Sequence, residues 1–402
     1  MASQVCEYWK SVDAALGDIP EVVERQRPYY TEPRFRRIND FYNDDQAVCK
    51  TAFTKDELHQ LMGLFGLNEM IRVPRADGKY DSFHPEELFL FTLMKLREGA
   101  SNATIVEDQV GGRSTARWGR GYNYLVKYLN DRYLPILGHE GLQRWVPHFP
   151  QFSEKIRERV GRDDHCFDRQ GNYHHTNHGV DFEPDDFGIV GFVDCKDYRM
   201  LRPHSGPNGH FPGAMRRPNW NVIQRAFFTR YGKKHALRVL AICLPNGLTA
   251  AVYGPTSARH HDTTLLTWSG FDQYLQNVQQ GQPRQYLFYG DSAFRGHWNC
   301  VRTRHEPTVN APALTQRQHN ENTAMRRARE GIEWSFCLLT NLWKLASIRD
   351  RFKLETNEAT VMAQIRVMHL LTNCYTCIHG NNISSDHSFA CKPPELEAYL
   401  TL

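Results

Sequence analysis

Apolar residues between Thr54 and Tyr133 recur every three or four positions, which predicts a run of α-helices. Thr54 followed by Glu57 has the pattern of a capping box in front of an apolar stretch. Pro85, with two acidic residues directly after it, favours the start of a further helix, and Gly99 is expected to end that helix. The chain is therefore expected to be helical from Thr54 to about Tyr133.

The second half of this helical region has the outline of a helix-turn-helix. A short helix is predicted over residues 103–109, a break at Gly111-Gly112, and a final helix from about Arg113. Arg113, Arg117 and Arg120 would lie along one side of that helix at i, i+4 and i+7, where they could contact DNA. An ordinary helical bundle with a solvated arginine face is the alternative.

The pattern changes at residue 187 to alternating strands and helices. An apolar run over residues 187–193 predicts a buried strand that delivers Asp194 at its end. Two further apolar runs, at 235–244 and 248–253, flank Pro245-Asn246-Gly247 and predict a β-hairpin. A helix is expected over residues 262–275.

Two more elements complete this pattern and carry acidic residues. A buried strand over residues 285–290 ends in Asp291, and a long helix over residues 321–345 carries Glu333. The order strand, hairpin, helix, strand, helix predicts an α/β fold with a ribonuclease-H-like mixed sheet flanked by helices. An all-α helix-turn-helix domain is expected to precede it.

The predicted organisation has five segments. They are an N-terminal arm (1–50), a helix-turn-helix domain (51–135), a linker (136–186), a ribonuclease-H-like nuclease domain (187–348) and a C-terminal helical segment with a tail (349–402).

Three acids on these elements suggest metal chemistry. Carboxylate oxygens suit Mg²⁺ or Mn²⁺, and Asp194, Asp291 and Glu333 could converge on two such ions. Asp194 would bridge both ions, and each of the other acids would complete one. Two-metal sites of this kind cut or join phosphodiester bonds. Each acid also has a structural alternative: a strand-end turn, a helix start, or a surface pair with Arg329.

The distribution of charge along the chain favours a nucleic acid as the binding partner. The 402 residues carry a net charge of only +4, but residues 295–353 contain eleven Lys or Arg against five Asp or Glu, as a phosphate backbone would require. Lys233, Lys234, Arg326 and Arg329 are the predicted phosphate contacts near the acids. No apolar run is long enough to predict a transmembrane helix, and the scattered cysteines favour reduced thiols.

A zinc site is a minor alternative interpretation of two further patterns. Cys374 and Cys377 form a Cys-x-x-Cys that could bind zinc with His379, His387 or Cys391. A His-rich patch over residues 173–178 could also hold a metal, although a polar loop is the simpler interpretation.

Five ordered motifs resemble the PIF/Harbinger transposases of the DDE superfamily. They are FVDCKD (192–197), RYGKKHALRV (230–239), GPTSARHHD (254–262), LFYGDSAF (287–294) and NTAMRRAREGIEWSF (322–336). The resemblance adds Asp262 as a fourth candidate metal ligand, at a position otherwise interpreted as a helix N-cap. Two departures are His260, where the family commonly has arginine, and a long insertion at residues 203–218.

This resemblance implies a metal-dependent DNA endonuclease or transposase that acts in the nucleus, with the cytoplasm as a further location. It also implies a separate Myb/SANT-like partner, and a homodimer would bring two DNA ends together. The alternative is a domesticated DNA-binding protein without a cleavage role. A ribonuclease-H-like nuclease that acts on RNA or branched DNA shares the core chemistry but has less need of a helix-turn-helix.

Overall fold

Helices flank a mixed β-sheet in the computed structural model, as the sequence predicts. The structure describes residues 35–110, 115–161, 165–167, 173–175, 187–202, 220–229, 233–282, 284–309, 312–347, 352 and 358–401. These residues all belong to one compact unit, residues 35–402. None of its described helices is long and apolar enough to cross a membrane.

Helices predominate towards both ends of the described chain, and most of the strands lie between them. The α-helices are α1 (Asp44–Thr51), α2 (Lys55–Phe65), α3 (Pro85–Glu98), α4 (Asn102–Val110), α5 (Thr115–Tyr133), α6 (His139–Gln143), α7 (Phe149–Gly161), α8 (Trp220–Phe227), α9 (Asp262–Ser269), α10 (Phe271–Val278), α11 (Gln316–Leu342), α12 (Glu358–His379) and α13 (Leu396–Leu400). The strands are β1 (Ile71–Pro74), β2 (Tyr80–Phe83), β3 (His165–Phe167), β4 (Tyr173–His175), β5 (Phe187–Arg199), β6 (Phe228–Thr229), β7 (Lys234–Cys243), β8 (Thr249–Ser257), β9 (Gln285–Tyr289) and β10 (Val301–Arg302).

The main sheet combines parallel and antiparallel pairs. Its strand order is β10-β9-β5-β7-β6, and β8 pairs with β7. Strand β5 runs parallel to β9 and antiparallel to β7, while β10 is parallel to β9. The predicted hairpin is confirmed as β7–β8, with Gly247 in its turn at φ +83°, a conformation that favours glycine.

Strand β5 is longer than the sequence pattern predicts. It continues to Arg199, so Asp194 lies inside the strand and pairs with Ala241 of β7 instead of ending the strand. The residues from Asp194 to Asp197 are only partly buried, so the apolar run stops while the backbone pairing continues. Apolar patterning marks the buried part of a strand, not its full length.

The N-terminal helices follow their predicted signals. Helix α2 begins after the capping box of Thr54 and Glu57, and α3 begins at Pro85 and ends before Gly99 in the left-handed conformation. A short hairpin, β1–β2, lies between these helices, where the sequence predicts only a loop. The predicted turn at Gly111-Gly112 lies outside the described residues.

The first part of the predicted linker is helical and packed. Residues 134–161 form α6, α7 and two 3₁₀ turns, and α7 buries Phe149, Phe152 and Ile156. Pro135 and Pro147 are typical of a linker by residue type, but here they are the second residues of the two 3₁₀ turns, where the missing N–H of proline is tolerated. Only β3 and β4 are described between residues 162 and 186, including part of the His-rich patch.

The predicted C-terminal segment contributes to the core. Helix α12 buries Ile365, Met368 and Leu371, and Asn373 bonds the backbone of Thr249 on β8. The N-terminal helices reach the same core, since the rings of Phe53 and Trp343 lie 6.4 Å apart. The helical region and the sheet therefore share one hydrophobic core.

One predicted helix is two helices in the structure. Residues 262–278 form α9 and α10, which Gly270 separates at φ +67°. Glycine adopts this left-handed conformation without the steric cost of a Cβ atom, and so the helix axis can turn there.

Candidate active site

Two of the predicted acids lie on neighbouring parallel strands. Phe192 of β5 is in register with Tyr289 of β9, and each acid follows two residues later, Asp194 within β5 and Asp291 after β9. Parallel strands in register bring residues at equal offsets to the same edge of the sheet. This pairing explains how two aspartates far apart in sequence come together.

The Asp194 carboxyl is in an unusual electrostatic environment. The pKa of this carboxyl is raised to about 6, mainly by burial. The charges of Asp291 and Asp262 also raise the pKa, whereas Arg329 and the Cys195 backbone N–H lower it. Arg329 Nη2 of α11 lies 3.4 Å from Asp194 Oδ2. Three carboxyl groups therefore lie close enough to disfavour one another's charge.

Asp262 is held by an arginine that also binds another aspartate. Arg238 Nη1 lies 2.7 Å from Asp262 Oδ1, and Arg238 Nε lies 2.8 Å from Asp197 Oδ1. Lys234 Nζ is 3.1 Å from the second oxygen of Asp197. Burial is the main cause that raises the pKa of Asp262, with Arg238 acting in the opposite direction. One guanidinium thus bridges two partly buried carboxylates, and Lys234 supplies a second positive charge to Asp197.

Glu333 faces the same region from helix α11. It lines a cleft of about 650 Å³ together with Asp291. Basic and polar residues supply much of the remaining lining: Arg304, His319, Asn322, Thr323, Arg326 and Arg329. A cleft that is lined by both carboxylates and arginines suits a phosphate backbone near bound cations.

The structural alternatives for the acids have mixed outcomes. Asp291 caps a 3₁₀ turn, because its carboxylate accepts a hydrogen bond from Ala293 N. The N-cap of α9 is His261, so the prediction that Asp262 caps this helix is wrong. Arg329 forms its ion pair with Asp194, which differs from the predicted surface pair with Glu333.

The donor set fits hard divalent cations in its chemistry. All four acids offer carboxylate oxygens, and a cation between them would offset the repulsion that raises the pKa of Asp194. No three of these four described acids bring ligand atoms within 4.8 Å of one another. Asp194 and Asp262 are instead paired with Arg329 and Arg238, so a bound cation would replace the Arg329 guanidinium at Asp194 and share the Asp262 carboxylate with Arg238.

The arginines predicted to face DNA in the helical region make contacts within the protein. Arg120 Nη2 lies 2.6 Å from the buried Asp81 of β2. Arg117 donates to the Ser82 carbonyl and lies 4.6 Å from the Phe83 ring. Arg113 lies outside the described residues. These contacts attach α5 to the β1–β2 hairpin, and DNA contact by this face stays a prediction.

The remaining predicted phosphate contacts differ in their surroundings. Arg326 is exposed at the cleft, and Lys233 is exposed with a left-handed backbone at φ +47°. Lys234 forms an ion pair with Asp197. Both lysines stand at the start of β7, next to the strand that carries Asp194.

Sequence reasoning missed the pair of Arg238 and Asp197. These residues are direct cross-strand partners on β7 and β5, and opposite charges at such positions stabilise a sheet. Both stand within motifs that carry the family resemblance. Their pairing depends on strand register, which the sequence does not specify.

Comparison with known families gives one result. Residues 211–373 match the family model described as DDE superfamily endonuclease. The match supports the DDE transposase superfamily. It covers about two fifths of the chain, including Asp262, Asp291 and Glu333, and starts after Asp194. No curated protein and no solved structure gave a significant match.

A DDE superfamily endonuclease domain suggests a nuclease or transposase role, and such a protein would bind DNA. Nucleases of this superfamily typically use divalent metals. The zinc alternative at the C-terminal cysteines has no geometric support, because Cys374, Cys377, His379, His387 and Cys391 do not cluster as ligands in the described chain. His379 Nε2 instead lies 3.2 Å from Glu57.

Proposed function

We propose that this chain is a metal-dependent DNA endonuclease or transposase of the PIF/Harbinger type, with Asp194, Asp262, Asp291 and Glu333 as its metal ligands. The observation that carries the proposal is the convergence of these acids beside an arginine-lined cleft. Asp194 and Asp291 come from adjacent strands, Asp262 from the start of α9, and Glu333 from α11.

A ribonuclease-H-like fold is part of this proposal. The antiparallel strands β5, β7 and β8 lie side by side, and β9 and β10 continue the sheet in parallel on the other side of β5. This arrangement supports the predicted order of strand, hairpin, helix, strand and helix. The helix-turn-helix over α4 and α5 is likewise a proposal.

The chain's own residues have distinct roles in the proposed reaction. Two Mg²⁺ or Mn²⁺ ions, when bound by the four acids, would activate a water or DNA 3′ hydroxyl and stabilise the leaving oxygen. Arg326 and Arg329 would hold the phosphate backbone in the cleft. Arg238 would orient the Asp262 carboxylate from behind, while Asp197 fixes the guanidinium.

The partners and location follow from the same proposal. The substrate is double-stranded DNA at element ends, and two copies of the chain would bring two ends together. A Myb/SANT-like protein would recognise those ends, and the nucleus, with the cytoplasm as a second location, is the proposed site of action. A domesticated protein that binds DNA without cutting it is the alternative function.

The test is metal-dependent nicking of supercoiled plasmid DNA. The wild-type protein should nick DNA with Mg²⁺ or Mn²⁺ and not with a chelator. Asp194→Asn, Asp291→Asn and Glu333→Gln should each lower the rate by at least roughly 100-fold, because each removes a charged metal ligand. Glu158→Gln is the matched control, because Glu158 is exposed and pairs with Lys155 on the surface of α7.

Two outcomes would contradict the proposal. Cutting that survives all three substitutions would show that the site is elsewhere. DNA binding without cutting under any metal, even with a Myb/SANT-like partner present, would favour the domesticated binding protein.

A further inference from the structure

A second group of ligand-type side chains lies apart from the four acids. Asp272 of α10, His297 and Cys300 bring one carboxylate oxygen, one ring nitrogen and one sulfur within 4.8 Å of one another. In the part of the chain that the structure describes, no other set of three or more His, Cys, Asp or Glu residues does so.

A tight turn brings His297 and Cys300 together. The Cys300 N–H donates to the His297 carbonyl at 3.0 Å, and the next amide, of Val301, donates to the same oxygen at 2.8 Å. Such a turn reverses the chain over four residues and places its first and last side chains near each other. Helix α10 supplies Asp272 opposite them, with His297 Nδ1 2.6 Å from Asp272 Oδ2.

The donors are those that zinc prefers. Zn²⁺ takes cysteine sulfur, histidine nitrogen and aspartate oxygen at about 2.0–2.3 Å, and so the ligand atoms of a tetrahedral ion lie roughly 3.3–3.8 Å apart. All three atoms lie within 4.8 Å of one another, so small side-chain shifts would bring them to that separation. The His297–Asp272 contact must open by roughly 1 Å, which side-chain rotation can supply.

The degree of burial of the three side chains also suits a bound ion. The Cys300 residue is fully buried, whereas the Asp272 and His297 side chains are 28% and 14% exposed. An ion could therefore enter from solvent and keep a water as fourth ligand, with the thiolate on its inner side. Burial raises the pKa of the Cys300 thiol, so binding must displace a proton and should strengthen as the pH rises.

We propose that Asp272, His297 and Cys300 bind a divalent transition metal ion of the zinc class, in a site separate from the nuclease acids. The ion would tie helix α10 to the loop between Asp291 and β10. The His297 N–H donates at 3.4 Å to the carbonyl of Phe294, the last residue of the turn that Asp291 caps. A metal ion bound by these three residues would stabilise the segment that positions Asp291.

The test is a Co²⁺ titration of the full chain after treatment with a chelator. We expect one equivalent of cobalt to give the intense visible bands of a tetrahedral ion and a near-ultraviolet charge-transfer band from the thiolate. Cobalt held by the four nuclease acids, which offer only oxygen ligands, would not give this charge-transfer band. Cys300→Ser should abolish the charge-transfer band, and His297→Gln and Asp272→Asn should each weaken binding roughly tenfold or more. Cys49→Ser, at an exposed thiol, should leave the band unchanged.

Zinc should also raise the melting temperature of the wild-type protein and of Asp194→Asn, and should raise that of His297→Gln less at the same zinc concentration. This comparison separates the site from the nuclease acids and does not depend on cleavage. Absence of the charge-transfer band in the wild-type protein, or its persistence in folded Cys300→Ser, would overturn the proposal. The three residues would then be an ion pair beside a buried thiol.

Discussion

At the residue scale, two acids of the candidate active site form ion pairs with arginines from neighbouring elements. Arg329 pairs with Asp194, and Arg238 pairs with Asp262 and Asp197. Removal of one partner from a partly buried ion pair leaves an uncompensated charge, which usually costs more than the pair contributes. These two arginines therefore permit different tests, one of DNA binding and one of stability.

Arg329→Ala should weaken DNA binding and flatten its salt dependence. Each phosphate contact contributes about 0.9 to the slope of log K against log salt concentration, so loss of one contact lowers the slope by about 1. Fluorescence anisotropy across a salt series would measure this change. Arg157→Ala, at an exposed position on α7, is the control. An unchanged slope for Arg329→Ala would restrict Arg329 to the role of ion-pair partner of Asp194.

Arg238→Met should destabilise the metal-free protein by roughly 2–4 kcal/mol, because Asp197 and Asp262 lose their shared cation. Urea unfolding in the presence of a chelator would give the free energy of unfolding. Addition of Asp197→Asn to this variant should restore part of the loss. If the single variant is as stable as the wild-type protein, Arg238 does not hold the two carboxylates in solution.

At the element scale, helix α12 is joined to the sheet by buried polar contacts. His369 is 1% exposed, and its ring nitrogens lie 3.3 Å from the Tyr198 hydroxyl on β5 and 3.2 Å from Thr249 Oγ1 on β8. Burial lowers the pKa of His369 to about 3. The imidazole is therefore neutral in the folded protein at any pH near neutrality.

This histidine should make the protein less stable in mild acid. The unfolded chain binds a proton at His369 below about pH 6.5, whereas the folded chain does not until about pH 3. Stability is fully present above pH 6.5 and falls by about 2 kcal/mol between pH 6.5 and pH 5. Urea unfolding of the wild type and of His369→Gln would measure this, and the variant should show a smaller loss. Parallel pH profiles would assign the acid sensitivity elsewhere.

The elements differ in how well sequence alone predicts them. The β7–β8 hairpin and the starts of α2 and α3 were predictable, because turn and capping residues act locally. Helix α7 was missed because prolines that begin helical turns resemble those of a linker. The sequence predicts which strand or helix carries each acid. It does not predict the Arg238–Asp197 pair, because that pair depends on strand register, which tertiary packing sets.

At the scale of the whole molecule, the N-terminal helices and the sheet share one core. Arg97 of α3 donates to the carbonyls of Asn341 and Leu342, where α11 ends. Phe53 packs against both Trp343 and Tyr375. The helix that carries Glu333 is thus held at its C-terminal end by the region predicted to bind DNA.

A protein truncated after Ser347 should therefore lose cooperative unfolding, although it retains all four acids. Helix α12 buries its apolar face against β8 and α5, and this surface would become exposed without it. Near-ultraviolet circular dichroism and thermal unfolding would measure the loss. A protein that begins at Phe35 is the control, since it keeps the whole compact unit. A sharp unfolding transition in the truncated protein would show that the sheet folds independently.

The packing of α12 also has a consequence for biosynthesis. A ribosome adds residues in order, and domains tend to fold as units once their chain has emerged. The segments that carry the acids therefore leave the exit tunnel before α12, which completes the core beneath them. A nascent chain at that stage has every carboxylate of the site but lacks the packing that positions them. We expect the proposed nuclease activity to appear only after α12 has emerged and docked.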